Sequence, residues 1–372
     1  MKQDTTASPT TGPGTGIRFS NKEHTDFYAT LKRRIDQYFK DTNQSKKANG
    51  AMIRKTLFIL AVYVLTYLLI LSNWFSPAAL LALAVVHGFF TALIGLNITH
   101  DAMHGAYSSK PKVNYRIGLL FNLLGANDYM WKLSHNLLHH SFTNIAEHDA
   151  DVDQLPLLRL NTKQSLWWVH RFQYIYVFFF YALTTLAWVF VRDYGEFFHP
   201  KVNGYKRTTR PAQEFGRMLF YKCIYYIIFI AIPFMVIDLP WQYILIGFVI
   251  MHLVEGITLA LIFQLAHIVE GTEFPLPNDE GQIESSWAAH QLETTADFAC
   301  KNLWANFLFG GLNFQIEHHL FPNICHVHYP ALAPIVKQTA LEYNLPYHEY
   351  ETYSGALLSH IKTLKDFGYG LK

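Results

Sequence analysis

The chain has 372 residues, 51% of them hydrophobic, with aromatic and charged residues at 16% each and a formal net charge of +2. The charged share falls well below the roughly 25% of soluble domains, and so small and scattered a positive excess excludes nucleic acid as a partner. Cys223, Cys300 and Cys325 form no CxxC pair, which excludes a disulfide framework and a tetrathiolate zinc site.

Met1 to Gly16 are rich in Thr, Ser, Pro and Gly without apolar periodicity and without the hydrophobic region of a signal peptide, so residues 1–17 are expected to be a disordered tail and 18–372 a single membrane domain. Phe27, Leu31, Ile35 and Phe39 then recur every four residues between Lys32, Arg33, Arg34 and Lys40. That stripe predicts a basic amphipathic helix, lying on a membrane surface or packed against the protein's own cap. Leu57 to Ser72 and Ala78 to Ile98 are apolar runs joined by an uncharged connection, and Met218 to Ile237 and Trp241 to Ala266 are joined only by Asp238-Leu239-Pro240. Each run approaches the ~20 residues needed to cross a bilayer. The expected fold is therefore all-α and integral to the membrane, with four transmembrane helices (about 56–74, 78–99, 217–237 and 241–266) in two hairpins.

Lys46, Lys47, Arg54 and Lys55 precede the first hairpin, and Lys201, Lys206, Arg207 and Arg210 the second, which places both termini and the polar segments in the cytoplasm. A helical cap, 100–216 and 267–372, is expected there, with amphipathic helices at Pro330 to Tyr343 and Ser354 to Phe367. One further apolar stretch, Tyr174 to Val191, is expected to lie in the interface without crossing, because a single crossing would put the histidines before and after it on opposite sides.

There are 19 histidines, and they cluster. His100 and His104 end the second span; His135, His139 and His140 form a second group; Gln315, Glu317, His318 and His319 form a third; His267 closes the fourth span. Residues four apart on a helix share a face, so each cluster can aim several imidazoles at one point. A lone HxxxH pair is weak, but three clusters and His267 at one membrane face are not. Imidazole suits zinc, copper, iron and nickel alike. One zinc uses three or four protein ligands, so seven or eight converging histidines imply two metals. Asp101 stands where the zinc-protease motif needs Glu, and the paired Glu-x-x-His motifs of soluble carboxylate-bridged di-iron bundles are absent from the sequence. An all-histidine two-iron site beside a membrane remains.

The runs His100-Asp101-Ala102-Met103-His104-Gly105-Ala106, His135-Asn136-Leu137-Leu138-His139-His140 through Thr143-Asn144, and Asn313-Phe314-Gln315-Ile316-Glu317-His318-His319-Leu320-Phe321-Pro322 resemble the three histidine boxes of membrane fatty acyl desaturases. The resemblance covers Phe27 to Gly368, and Gln315 in place of a leading histidine is similar to the front-end type, delta-6 and delta-5 enzymes. It implies two non-haem irons, ligated by His100, His104, His135, His139, His140, His267, His318 and His319 with Gln315 near or on one of them, and dioxygen as co-substrate. It also implies a fatty acyl-CoA or acyl-lipid substrate and, since no His-Pro-Gly-Gly motif of a fused cytochrome b5 domain occurs, a separate electron donor of ferredoxin or cytochrome b5 type. A bacterial inner membrane is the location so implied. Asp101, Asp149, Asn144, Glu317 and Gln264 become candidates for supporting the ligands, and His252 and Glu255, at membrane depth, for lining the acyl tunnel or pairing with each other. The acyl-CoA desaturases of known architecture have an Asn one turn before the histidine that matches His267, and that position is Phe263 here. Two other readings compete: a hydroxylase or ketolase on the same scaffold, and a membrane metal transporter, which would place its polar site nearer the bilayer midplane. The run Asp149 to Asp153 lacks the Gly and the bidentate Glu of a calcium loop, since Gln154 and Leu160 occupy those places.

Overall fold

Ile17 and a short strand β1 (Arg18–Phe19) lead into α1 (Phe27–Asp41) in a computed structural model that describes residues 16–20, 24, 26–149, 152, 155–199, 201–202, 204–206 and 211–372. The expected tail lies outside the described residues apart from Gly16 and Ile17, as do Asp151, Asp153, Gln154, Arg207 and Arg210. The stripe of Phe27, Leu31, Ile35 and Phe39 is buried in a cluster with Trp287, Leu332 and Val336. Of its two possible positions, α1 therefore takes the one against the protein itself. Arg34 fastens that contact, donating to Thr339 Oγ1 at 2.9 Å and to Glu342 Oε2 at 2.6 Å.

Asn49 caps α2 (Gly50–Leu71) by accepting from the N–H groups of Ala51 and Met52. Ser76 and Pro77 open α3 (Pro77–Met103) in the arrangement expected of a helix start. After α4 (Pro111–Leu123) comes α5, residues 128–142, and then the long α6 (Trp168–Phe198). A hairpin of β2 (Lys201–Val202) and β3 (Tyr205–Lys206) leads to α7 (Ala212–Val236) and α8 (Trp241–His267). The rest is short: β4 (Gln282–Ile283), α9 (Trp287–Glu293), β5 (Ala296–Phe298), α10 (Leu303–Leu308), α11 (Gln315–Leu320), α12 (Tyr329–Glu342), β6 (His348–Tyr350) and α13 (Tyr353–Tyr369). Parallel pairing of β1 with β4 and of β5 with β6 ties the chain ends into the cap.

The expectation of four spans in two hairpins is corrected by α6. Among the described residues five helices, α2, α3, α6, α7 and α8, are long and apolar enough to cross a membrane, and α6 has 31 residues. The expectation for Tyr174 to Val191 rests on which side of the membrane the histidines fall, whereas the helix itself runs on through Arg192 and Asp193 to Phe198. Here both are compensated: Arg192 Nε donates to Glu196 Oε1 one turn on at 2.6 Å, and Asp193 Oδ2 accepts from Lys222 Nζ at 2.7 Å. A π turn at Trp188–Arg192 frees carbonyls, and Lys222 also donates to those of Trp188 and Val189, at 3.0 Å each. The helix thus continues through both charges. Ile175, Phe179 and Val191 project outward from it, as Leu57 and Leu65 do from α2, the pattern of helices bathed in lipid.

Removing one member of a buried ion pair leaves the other charged and alone, at a cost of ~3–5 kcal/mol. Lys222→Met is accordingly expected to lower the melting temperature of the detergent-solubilised protein more than the double replacement Lys222→Met with Asp193→Leu. Equal losses would contradict this account of α6.

Helix α8 is the axis of the bundle, with α3 and α6 packed along it. Glycines set the approach. A Cβ on Gly88 of α3 would come within 2.2 Å of Met251 O, and one on Gly256 within 2.4 Å of Ala182 O. No other residue type fits at that spacing.

Candidate metal centre

Three helix segments and one helix end supply the histidines. His100 lies in the last turn of α3 and His104 directly follows it, His135, His139 and His140 lie on α5, His267 is the last residue of α8, and His318 and His319 lie on α11 with Gln315. Ring nitrogens of His100, His104, His135 and His318 all lie within 4.8 Å of one another, and those of His139, His267 and His319 form a second such group. His140 stands between them, its ring centroid 4.8 Å from His104, 4.6 Å from His318 and 4.5 Å from His319.

A π turn across Lys132–His139 produces this division. In regular α-helix His135 and His139 would project together and serve one site. A π turn pairs each residue with the fifth one on, and His135 Nε2 lies 3.3 Å from His140 Nε2. That is close to the separation of adjacent ligands on an ion bound at ~2.1 Å. His139 is left to the second group.

The outer nitrogens are anchored. Asp149 Oδ1 lies 3.0 Å from His139 Nδ1, Gln291 Oε1 2.8 Å from His319 Nδ1, Thr294 O 3.3 Å from His267 Nδ1, and Tyr329 Oη 3.4 Å from His318 Nδ1. An acceptor on Nδ1 holds the proton there and turns Nε2 inward as a lone pair. Nε2 of His100, His104, His267, His318 and His319 is buried and meets no protein partner among the described residues. Burial first, and the neighbouring imidazoles second, hold His104, His135, His140, His318 and His319 well below the ordinary imidazole value. Neutral, converging, unsatisfied nitrogens are what a pair of metal ions requires, so the residues fit the group.

Gln315 is buried on α11, one turn before His319, and neither atom of its amide has a hydrogen-bond partner among the described residues. Other candidates turn elsewhere. Asp101 Oδ2 accepts from Cys325 Sγ at 3.0 Å and His326 Nδ1 at 2.9 Å, while Lys55 Nζ lies 3.0 Å from His326 Nε2. These three acidic, thiol and imidazole groups lie close enough to hold an ion, but they already bind one another and lock the end of α3 to the segment after α11. Glu317 and Asp297 both accept from Tyr347 Oη, at 3.1 and 2.7 Å. Burial raises both, Asp297 to about 6, so this pair retains a proton and braces α11 from behind. Asn144, at φ 58°, donates to the carbonyls of His267 and Glu273, at 2.9 and 3.0 Å, joining α5 to the end of α8.

An apolar cavity reaches this cluster from within the bundle, lined by Thr91, Gly95, His100, Trp131, Glu255 and Phe263 among others. A contiguous opening shares Trp131, Trp188 and Phe263 and adds Ser134, Arg192 and Gln264. Phe263 offers no ligand atom, and its ring lies 6.4 Å from His100 and 6.0 Å from His135, as a wall. Glu255 lines the cavity, and His252 Nδ1 lies 3.5 Å from Glu255 Oε2.

Sequence reasoning passed over Gln291. Its signal was a glutamine on the hidden side of Trp287–Glu293, a helix whose Trp287 Nε1 donates to His140 O at 3.0 Å. Replacing a partner of this kind costs ~10–100-fold in metal affinity. Gln291→Leu is expected to lose metal at correspondingly lower chelator concentration while retaining its helix content. Unchanged chelator resistance would contradict the anchoring role.

Residues 72–351 match the family model described as fatty acid desaturase. The chain is 36% identical over 356 residues to an acyl-lipid (8-3)-desaturase of Physcomitrium patens, covering 95% of this chain and 74% of that protein. It is 34% identical over 342 residues to an sn-1 linoleoyl-lipid 6-desaturase of Arthrospira platensis, covering 91% and 92%. An sn-1 linoleoyl-lipid 6-desaturase of Synechocystis is 33% identical over 354 residues, covering 95% and 98%.

Proposed function

The chain belongs to the fatty acid desaturase family, and from that premise we propose that it introduces a double bond near the carboxyl end of an unsaturated acyl chain carried on a membrane lipid. The observation that carries the proposal is the meeting of two groups of neutral imidazoles with an apolar cavity at His100. The carrier and the front-end position are supported by the names of the relatives, which act on acyl lipids.

His100, His104, His135 and His318 would hold one iron, and His139, His267 and His319 the other, with His140 beside both. Gln315 would complete the three-histidine group, since it shares a helix face with His319 and its amide is buried without a partner. Bound iron would supply the activation of dioxygen that the side chains cannot. The balance is two hydrogens from adjacent methylenes, one dioxygen, and two electrons with two protons from a donor, giving one alkene and two waters. The electrons are supplied by a separate redox protein of ferredoxin or cytochrome b5 type. Trp131 and Phe263, which line the cavity beside His100, would hold the acyl chain at the histidine face and keep water from it. Lys46, Lys47, Arg54 and Lys55 before α2, with α3 returning to the same face at His100, support a cytoplasmic face for the centre.

The test is expression in a host without polyunsaturated fatty acids, fed defined acyl chains, with double bonds located by mass spectrometry. New alkenes on the carboxyl side of an existing one are expected. A hydroxylated or ketonic product without a new alkene would replace this reading with an oxygen-inserting one.

A further inference from the structure

The bundle contains a second apolar cavity at the end remote from the histidines, lined by Tyr67, Leu81, His87, Phe229, Phe248 and Met251 among others. Between the two cavities lies a layer of polar side chains. His252 is fully buried; its Nε2 lies 2.6 Å from Tyr225 Oη, its Nδ1 3.0 Å from Thr185 Oγ1, and Glu255 beside it faces the first cavity. Phe248 packs on His252 at 4.7 Å between centroids, Phe229 on Tyr225 at 4.8 Å, and His87 continues the layer to Thr66 Oγ1 at 2.9 Å. All five apolar helices contribute to it: α2 through Thr66, α3 through His87, α6 through Thr185, α7 through Tyr225, and α8 through His252 and Glu255.

We propose that this layer is a partition that stops the methyl end of the acyl chain and so sets the length of substrate the enzyme accepts. The inference rests on the desaturase reading above. The polar end of a lipid must stay at the opening lined by Ser134, Arg192 and Gln264, which leaves the hydrocarbon to run inward past the histidines. From His100 to Thr91 on α3 the cavity follows nine residues of helix, or roughly 13 Å. A methyl group pressed further would meet the Glu255 carboxyl and strip His252 and Tyr225 of their contacts without replacing them, which is unfavourable for every buried polar atom involved. Behind the partition the second cavity is apolar again, so only the polar layer prevents a longer chain from continuing.

Two substitutions move the limit in opposite directions. Gly95 is helical and lines the cavity, and a Cβ there would sit 3.6 Å from Leu259 Cδ2, an ordinary contact, so the remainder of a leucine enters the space meant for the chain. Glu255 can be removed with little else disturbed, because its 3.5 Å approach to His252 Nδ1 is longer than the 2.6 and 3.0 Å contacts by which Tyr225 and Thr185 hold that imidazole. In the same expression host, a series of unsaturated chains differing by two carbons is supplied to wild type, Gly95→Leu and Glu255→Ala, and iron per chain is measured. The preferred substrate is expected to shorten by at least one member of the series in Gly95→Leu and to lengthen in Glu255→Ala, with iron unchanged. A second measurement needs no variant: an acyl chain carrying a terminal diazirine, photolysed on the wild-type protein, is expected to label Glu255 or Thr185. Identical chain-length profiles in active variants, or labelling confined to residues beyond the layer, would overturn the partition. Absence of any new double bond with wild type would instead overturn the desaturase reading, and the partition with it.

Discussion

His318→Ala is expected to abolish desaturation and to lower the iron content well below two ions per chain. His318 belongs to the group with His100, His104 and His135 and also contacts His140, which stands between the groups. Its loss removes a ligand, where loss of an outer partner alone costs ~10–100-fold in affinity. The remaining imidazoles stay buried and neutral, so the fold should survive. The measurements are iron analysis and product formation on the same preparation. An active variant holding two irons would remove His318 from the ligand set.

Gly88→Leu is expected to leave almost no folded protein. A Cβ at this position would lie 2.2 Å from Met251 O and 2.9 Å from Met251 C, both backbone atoms that cannot swing aside. Helices α3 and α8 would have to part, and they carry His100, His104 and His267. The loss should exceed the ~0.5–3 kcal/mol of an ordinary substitution. Gly247→Ala is the control, because nothing lies within 4 Å of a Cβ there. Yield and thermal stability in detergent compare the two; similar values would refute the close-contact argument.

The spacing of the histidines carried most of the centre. His100 with His104, and the position of His267 at a helix end, need only helical periodicity to be read. What periodicity cannot express is the π turn through His135, because it depends on packing that allows an extra residue per turn, and so the sorting of α5's histidines between two groups was invisible. Asp149 was legible as a nearby carboxylate, whereas Gln291 approaches His319 across 28 positions of chain. The fifth long apolar helix was set aside on parity alone, as a run whose crossing would separate the histidines, yet the histidines before and after α6 converge with that helix at its full length. Its extent is hidden in the sequence as well, because Arg192 and Asp193 interrupt the apolar run and Lys222, which pairs with the second of them, lies 29 residues later.

The five-residue step between His135 and His140 has a further consequence for how the centre fills. One rigid turn presents ligands to both groups, and His140 touches members of each. An ion captured by the first group fixes the rotation of α5, and with it the aim of His139 toward the second. Loading should therefore be cooperative: a titration of metal-free protein with ferrous iron would rise as a single steep transition, with the half-loaded species scarce throughout.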